Sequence, residues 1–289
     1  MTQPRARVIS IAIAVLTLAL VSCVTPEAVS KFCGSATATL TSSNAVFNDM
    51  KLSCLREVNS REELATFKPA IENDANCAAI GTQAAGAAAA AEMLSDYFGA
   101  INSLASFGSA KAGTDAQNLL TKTGAAVGAS SAAQTALGSI AQFLVSAATS
   151  GYQQKSLEKD LTKVSGNINA VVNALITIVR DDYIGRQLAS EEQKLSIRYR
   201  DFVKDNSTKG PLSPEAKLML DDRWRADEAA LEAKRASAKC LISALKAMAK
   251  GFQELAENAH QLKGKEVPGL LGPYTTQLQV LVPAIQKAF

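Results

Sequence analysis

The chain of 289 residues holds a single histidine, His260, in the one spacing that could ligate a metal. Glu257-Asn258-Ala259-His260 places a carboxylate and an imidazole on one helix face, half of the di-iron or di-manganese constellation built inside four-helix bundles. The other half is a second Glu-x-x-His with two further Glu, and one histidine per chain cannot supply it. A Ser–His pair would have to use the same imidazole, and no Gly-x-Ser-x-Gly elbow raises a nucleophilic serine. The adjacent carboxylates Asp181-Asp182 and Asp221-Asp222 diverge by about 100° on a helix, so they read as solvated acidic patches. No glycine-rich phosphate loop of the P-loop or dinucleotide type occurs. These residues lead to a non-enzymatic reading, with no catalytic residue, no metal ligand and no cofactor.

Five cysteines remain: Cys23, Cys33, Cys54, Cys77 and Cys240. Upstream of the first, Arg5 and Arg7 form a short basic region, followed by the apolar run 8–20 and small residues. This order is that of a secretory signal peptide, too short to span a bilayer. Leu20-Val21-Ser22-Cys23 resembles the lipobox of bacterial lipoproteins. The resemblance implies cleavage before Cys23, acylation of its thiol, and attachment to a membrane through the acyl chains. In such lipoproteins an Asp after the Cys retains the protein at the inner membrane. Val24 stands there instead, which implies the outer membrane, facing the periplasm. Without residues 1–22 the chain carries 28 basic and 27 acidic residues, so its anchoring would come from lipid rather than a basic patch.

In an oxidising compartment, Cys33, Cys54, Cys77 and Cys240 read as two disulfides, with three connectivities open. Cys33 and Cys54 on one continuous helix would stand about 31 Å apart, and a disulfide needs Cα atoms within about 7 Å. Cys54 and Cys77 flank a helix break near residue 65, which suits opposite positions on antiparallel helices. The expected bridges are Cys54–Cys77 and Cys33–Cys240.

The elements that carry these residues are helical. Residues 24–59, rich in Ser, Thr and Ala, are expected to form a tether and then a first helix over 42–56. Ser60 and Glu63 match a capping box for a helix interrupted at Pro69. Between residues 75 and 148, 24 of 74 residues are Ala and five are charged, a composition that favours helix. Thr114 with Gln117 caps a further helix that closes near Ser150. Residues 123–154 carry no charge. Gly124 and Gly128 have the spacing of close contacts between membrane helices, but no strongly apolar run reaches ~18 residues. The region is read as an inner helix whose small side chains let neighbouring axes approach.

Leu157, Leu161, Val164, Ile168, Val171, Leu175 and Ile178 alternate at intervals of four and three, the stripe of a bundle seam. The register slips near Asp181 and Asp182, then resumes with Ile184, Leu188, Leu195, Tyr199 and Phe202. A loop over 206–211 follows. Ser213 as N-cap and Pro214 at the first helical position open a second long helix. Its seam runs through Leu220, Trp224, Leu231, Ala238, Leu241, Leu245, Met248, Phe252, Leu255, Ala259 and Leu262, with the charged run 221–239 on a solvated face. A last helix, bent at Pro283, turns Leu278, Leu281, Ile285 and Phe289 inward.

The expected fold is all-α: an elongated antiparallel helical bundle with two long helices and an Ala-rich inner helix. Its parts are a signal peptide (1–22), a tether with the first helix (23–59), the bundle (60–265) and a short C-terminal helix (266–289). Balanced charge and the lack of an aromatic-interleaved basic cluster exclude nucleic acid as a partner, and no small-molecule substrate is inferred. The function expected is a lipid-anchored periplasmic protein that binds another protein, as scaffold, adaptor, inhibitor or immunity factor. The alternative is a membrane-active protein that inserts its Ala/Gly-rich hairpin into a bilayer.

Overall fold

The computed structural model describes residues 25–60, 71, 74–105, 131–147, 154–207, 210–259 and 266–289. Every element among them is helical, and no strand occurs among the described residues. In chain order these are α1 (Thr25–Ser60), α2 (Ala75–Ala105), α3 (Ser131–Ala147) and α4 (Gln154–Thr177). A π-helical segment (Ile178–Leu188) continues α4 directly into α5 (Ala189–Ser207). α6 (Pro214–Glu257) and α7 (Val267–Gln286) complete the bundle. α4, the π segment and α5 make one long helix; α6, with 44 residues, is the other, about 66 Å long at 1.5 Å per residue. The all-α bundle with two long helices expected from the sequence is the fold observed.

α1 starts at Thr25, so the expected tether is replaced by helix. The reason lies in how its small polar residues are satisfied. Thr39 Oγ1 donates to the Ser35 carbonyl at 2.9 Å, Ser42 Oγ to Ala38 at 2.8 Å and Ser43 Oγ to Leu40 at 2.6 Å. Backbone acceptors one turn earlier therefore take the hydroxyls, and the Ser/Thr-rich face can be buried as helix. Between these residues Val29, Phe32, Cys33, Ala36, Leu40, Val46, Phe47 and Met50 form a continuous buried stripe. Ser60 is the last residue of α1, and its hydroxyl donates to the Glu57 carbonyl rather than capping a new helix. Glu63 and Pro69 lie outside the described residues. The cap of α2 is Asp74, whose Oδ1 accepts from the amides of Asn76 and Cys77 at 2.9 and 3.2 Å. Asn59 ties the connection shut by exchanging hydrogen bonds with both backbone groups of Ile71.

α1 and α2 pack antiparallel, with Lys51 laid over Gly81 near one end and Phe32 against Phe98 near the other. Ala84, Ala87, Ala89, Ala90, Ala91 and Ala100 of α2 are buried, as are Ala133, Ala136, Ala141 and Ala147 of α3. Each alanine-rich helix thus buries one face, where small side chains permit close axes, but neither is the inner helix expected. Ala85 and Glu92 of α2 and Gln142 and Val145 of α3 are exposed, because each helix has neighbours on one side only. Phe32, Tyr97, Phe98, Phe143 and Phe252 fill one level of the core, mostly edge to face with centroids 4.8–6.0 Å apart. Gly251 belongs to this layer. A Cβ added there would stand 2.5 Å from the Phe32 ring, so α6 approaches α1 only because that position has no side chain.

The stripe from Leu161 to Ile178 is buried as its spacing requires, and so is the α6 seam from Leu231 to Ala259. Ser213 caps α6, accepting from Ala216 at 3.2 Å, and Gly210, at φ 121°, makes the turn before it. α7 begins at Val267 and runs through Pro273 and Pro283. Leu278 and Ile285 face the core and Leu281 packs against it, but Phe289 is 44% exposed, contrary to its expected inward position. It follows Gln286, the last residue of the helix, so the register that buries Ile285 no longer governs it. Thr114, Gln117, Gly124, Gly128 and Leu262 lie outside the described residues, as does the side chain of Leu157.

Candidate functional site

Two features of the bundle carry polar or exposed apolar groups beyond what packing alone requires. The first is a buried ion network around the π-helical segment. Asp49 on α1 accepts hydrogen bonds from both terminal guanidinium nitrogens of Arg56, two turns later on the same helix, at 2.9 and 2.8 Å. The phenol of Tyr183, in the π segment, donates to Asp49 at 2.6 Å, and Lys234 of α6 stands 3.4 Å away. Arg56 also reaches Glu191 at the start of α5, with Nε at 2.5 Å, and the Ser53 hydroxyl donates to the same carboxylate. Asp49, Glu191 and Tyr183 are buried, and two carboxylates face two cations.

That balance is what allows charge inside the bundle, since a buried ion is tolerated when it is paired and hydrogen-bonded. Burial works against the charge on Arg56, but the hydrogen bonds and charges of Glu191 and Asp49 outweigh it and hold the proton beyond the usual arginine range. Burial, reinforced by the charge and hydrogen bond of Asp49, pushes the Tyr183 phenol well above its ordinary value. Its proton is a fixed donor to Asp49 and is not available for acid–base work at neutral pH. Both carboxylates are committed to cations and hydroxyls, and no group of three metal-ligating side chains occurs among the described residues. The network locks three helices in one register.

The π segment accounts for the slip in the apolar stripe. In a π-helix each amide reaches back five residues, so the helix turns more slowly and its inward face rotates. Val179, Asp182, Tyr183 and Leu188 become the buried positions. Asp181 and Asp182 diverge as adjacent helical residues must. Asp181 is exposed and paired with Arg180 at 2.7 Å. Asp182, expected in solvent, is buried: it accepts from Gln83 of α2 at 2.6 Å and pairs with Arg186. The run 221–239 also departs from a purely solvated face. Arg235 turns inward to Glu192 of α5, and Lys234 to Asp49, because both lie where α6 meets its neighbours.

The second feature is the far end of α5 and α6. From Glu192 to Lys204 of α5, and from Pro214 to Ala230 of α6, no residue is buried. The two helices extend as an arm and meet at Tyr199 and Trp224, packed edge to face with centroids 5.2 Å apart. The Tyr199 hydroxyl donates to Asp227 at 2.8 Å, and burial, then Asp227, pushes the phenol up to about 12. Val203 (46% exposed), Leu218 (63%) and Met219 (74%) present large apolar side chains near the arm's tip. Asp221 and Asp222 are exposed on the same arm.

Cys54 and Cys77 form a disulfide joining α1 to α2, with Cα atoms 5.5 Å apart, as their placement about the helix break predicts. Cys33 and Cys240 are not bonded to each other. Phe32 meets Gly251 and Asp49 meets Lys234, so α1 and α6 run antiparallel with Cys240 level with the residues near Ser43. Cys33 is then about ten residues, or ~15 Å, away along the axis, far outside disulfide reach. The tether that was to bring Cys33 to α6 is helix instead. Cys33 is fully buried, and burial raises its thiol far above the ordinary range. Glu257 is exposed and accepts from Gln253 at 2.8 Å, while His260 and Cys23 lie outside the described residues. Among the described residues no helix is long and apolar enough to cross a membrane.

No protein-family model, curated protein or solved structure matches this chain.

Proposed function

We propose that this chain is a lipid-anchored protein of the periplasmic face of the outer membrane that binds another protein through the α5–α6 arm. The anchor rests on the basic region, apolar run and lipobox ending at Cys23. The observation that supports protein binding is the exposure of Val203, Leu218 and Met219 on two helices beyond the last buried residues of the bundle. Nearer the core the same pair is covered by α1 and α7, with Leu195 packed against the core; farther out Tyr199, Leu220 and Trp224 are only half-buried. An amphipathic helix fits such a surface: apolar residues at three- and four-residue spacing against these side chains, charges outward. The ion network serves this reading by holding α5 and α6 in fixed register against α1, so the arm is presented as a rigid lever.

Photo-crosslinking in cells tests the assignment. A crosslinker at Val203 should capture a discrete partner that one at exposed Lys250 does not. Leu218→Asp should abolish that product while leaving the melting temperature unchanged. Equal capture from both positions, or capture indifferent to Leu218→Asp, overturns the arm as the binding surface.

A further inference from the structure

Resting on the lipidation reading above, we propose that the bundle stands end-on at the bilayer. The end formed by the start of α1, the end of α6 and the start of α7 faces lipid, and the α5–α6 arm is carried farthest from it. Only Val24 separates Cys23 from the first residue of α1. A residue spans at most ~3.6 Å, so the acylated thiol lies within roughly 10 Å of the helix start. The end at which α1 starts is therefore the anchored end, and α1 leads away from it.

The pairings along α1 give the heights of the other elements. Glu27 and Lys31, the first exposed pair of α1, line a groove with Pro268, Gly272 and Thr275 of α7, which places the start of α7 at the anchored end. Phe32 meets Gly251, seven residues up α1. Asp49 meets Lys234 at about 36 Å, and Ser53 meets Glu191 at about 42 Å from Thr25. α6 continues past Lys234 for sixteen residues to Leu218, which adds ~24 Å and sets that side chain about 60 Å above the helix start. Among the described residues no apolar side face favours lying flat: exposed Leu52, Val145 and Val280 are on three different helices, and the mature chain is nearly neutral. The partner of the arm is therefore a protein domain outside the bilayer, met at a distance of about 60 Å from it.

Energy transfer from the full lipidated protein to acceptor-labelled lipid headgroups decides the orientation. An azide-bearing residue in place of Lys31 or of Leu218 carries the donor, in protein purified from membranes and reconstituted into phosphatidylethanolamine–phosphatidylglycerol vesicles. Transfer at position 31 should exceed that at 218 by roughly threefold or more, as the ~50 Å height difference requires. Equal transfer, in protein whose Cys23 is acylated by mass spectrometry, overturns the end-on orientation and leaves lipidation standing. Absence of acylation at Cys23 overturns both.

Discussion

Tyr183 donates to Asp49 at 2.6 Å across 134 residues of sequence, and this bond fastens the π-helical segment to α1. The phenol, the paired guanidinium of Arg56 and the Lys234 ammonium converge on one buried carboxylate. Asp49 is thereby the point at which α1, the π segment and α6 are held in common register, and the arm beyond them inherits that register.

Asp49→Asn should destabilise the protein by about 3 kcal/mol, because it leaves Arg56 and Lys234 sharing the single charge of Glu191. Tyr183→Phe removes one hydrogen bond from a carboxylate still held by two cations and should cost about 1–2 kcal/mol. Urea denaturation of both variants checks the order; a larger loss for Tyr183→Phe would move the centre of the network away from Asp49.

Gly251→Ala raises helix propensity by up to ~1 kcal/mol, yet the added methyl meets the Phe32 ring at 2.5 Å and Tyr274 Cβ at 3.0 Å. Overpacking of this kind costs about 1–3 kcal/mol, so a lower melting temperature is expected. A rise in melting temperature would mean that α1 and α6 are not in contact at this level.

Peptide mapping without reductant should return Cys54 linked to Cys77, with Cys33 and Cys240 as thiols that react only according to exposure: Cys240 in the native protein, Cys33 after unfolding. Reduction of the bridge should lower stability by about 3–4 kcal/mol on the chain-entropy estimate for a loop of this size. A linked Cys33–Cys240 peptide would contradict the antiparallel register of α1 and α6.

Alkaline titration reads the two raised phenols. Tyr183 and Tyr199 hold their protons above the ordinary tyrosine range of ~10, so the folded state binds more protons than the unfolded chain there. Their contribution to stability is complete below pH ~10 and falls as pH rises toward and beyond the folded values, about 12 for Tyr199. Difference absorbance between the native protein and its Tyr183→Phe and Tyr199→Phe variants should show each of these phenols ionising late, together with loss of helix. Ordinary ionisation of Tyr183 and Tyr199 with the helix intact would place both phenols in solvent.

The helices with a strong apolar period are legible in the sequence: Leu161 through Ile178, and Leu231 through Ala259, are buried as their spacing requires. The slip at Asp181 and Asp182 was visible too, but a broken stripe does not reveal that the chain stays helical with one wider turn. Cys54–Cys77 could be placed because both residues flank one local break. Cys33–Cys240 could not, since their separation depends on the register between α1 and α6, set by Phe32 at Gly251 and Asp49 at Lys234. The ion network was missed for the same reason: Arg56 and Glu191 lie 135 residues apart. Its local trace is Asp49 and Arg56, seven residues apart on one helix face among apolar neighbours, a pattern that marks a polar pair turned toward the core.

Incorporation of labelled palmitate tests the central claim, that Cys23 carries the anchor from which the bundle extends. The protein expressed with its own N-terminus in a bacterium should take up label and fractionate with outer membranes, and Cys23→Ala should do neither while retaining its helical spectrum. Label entering the Cys23→Ala variant, or a wild-type chain that stays unlabelled, would contradict the account.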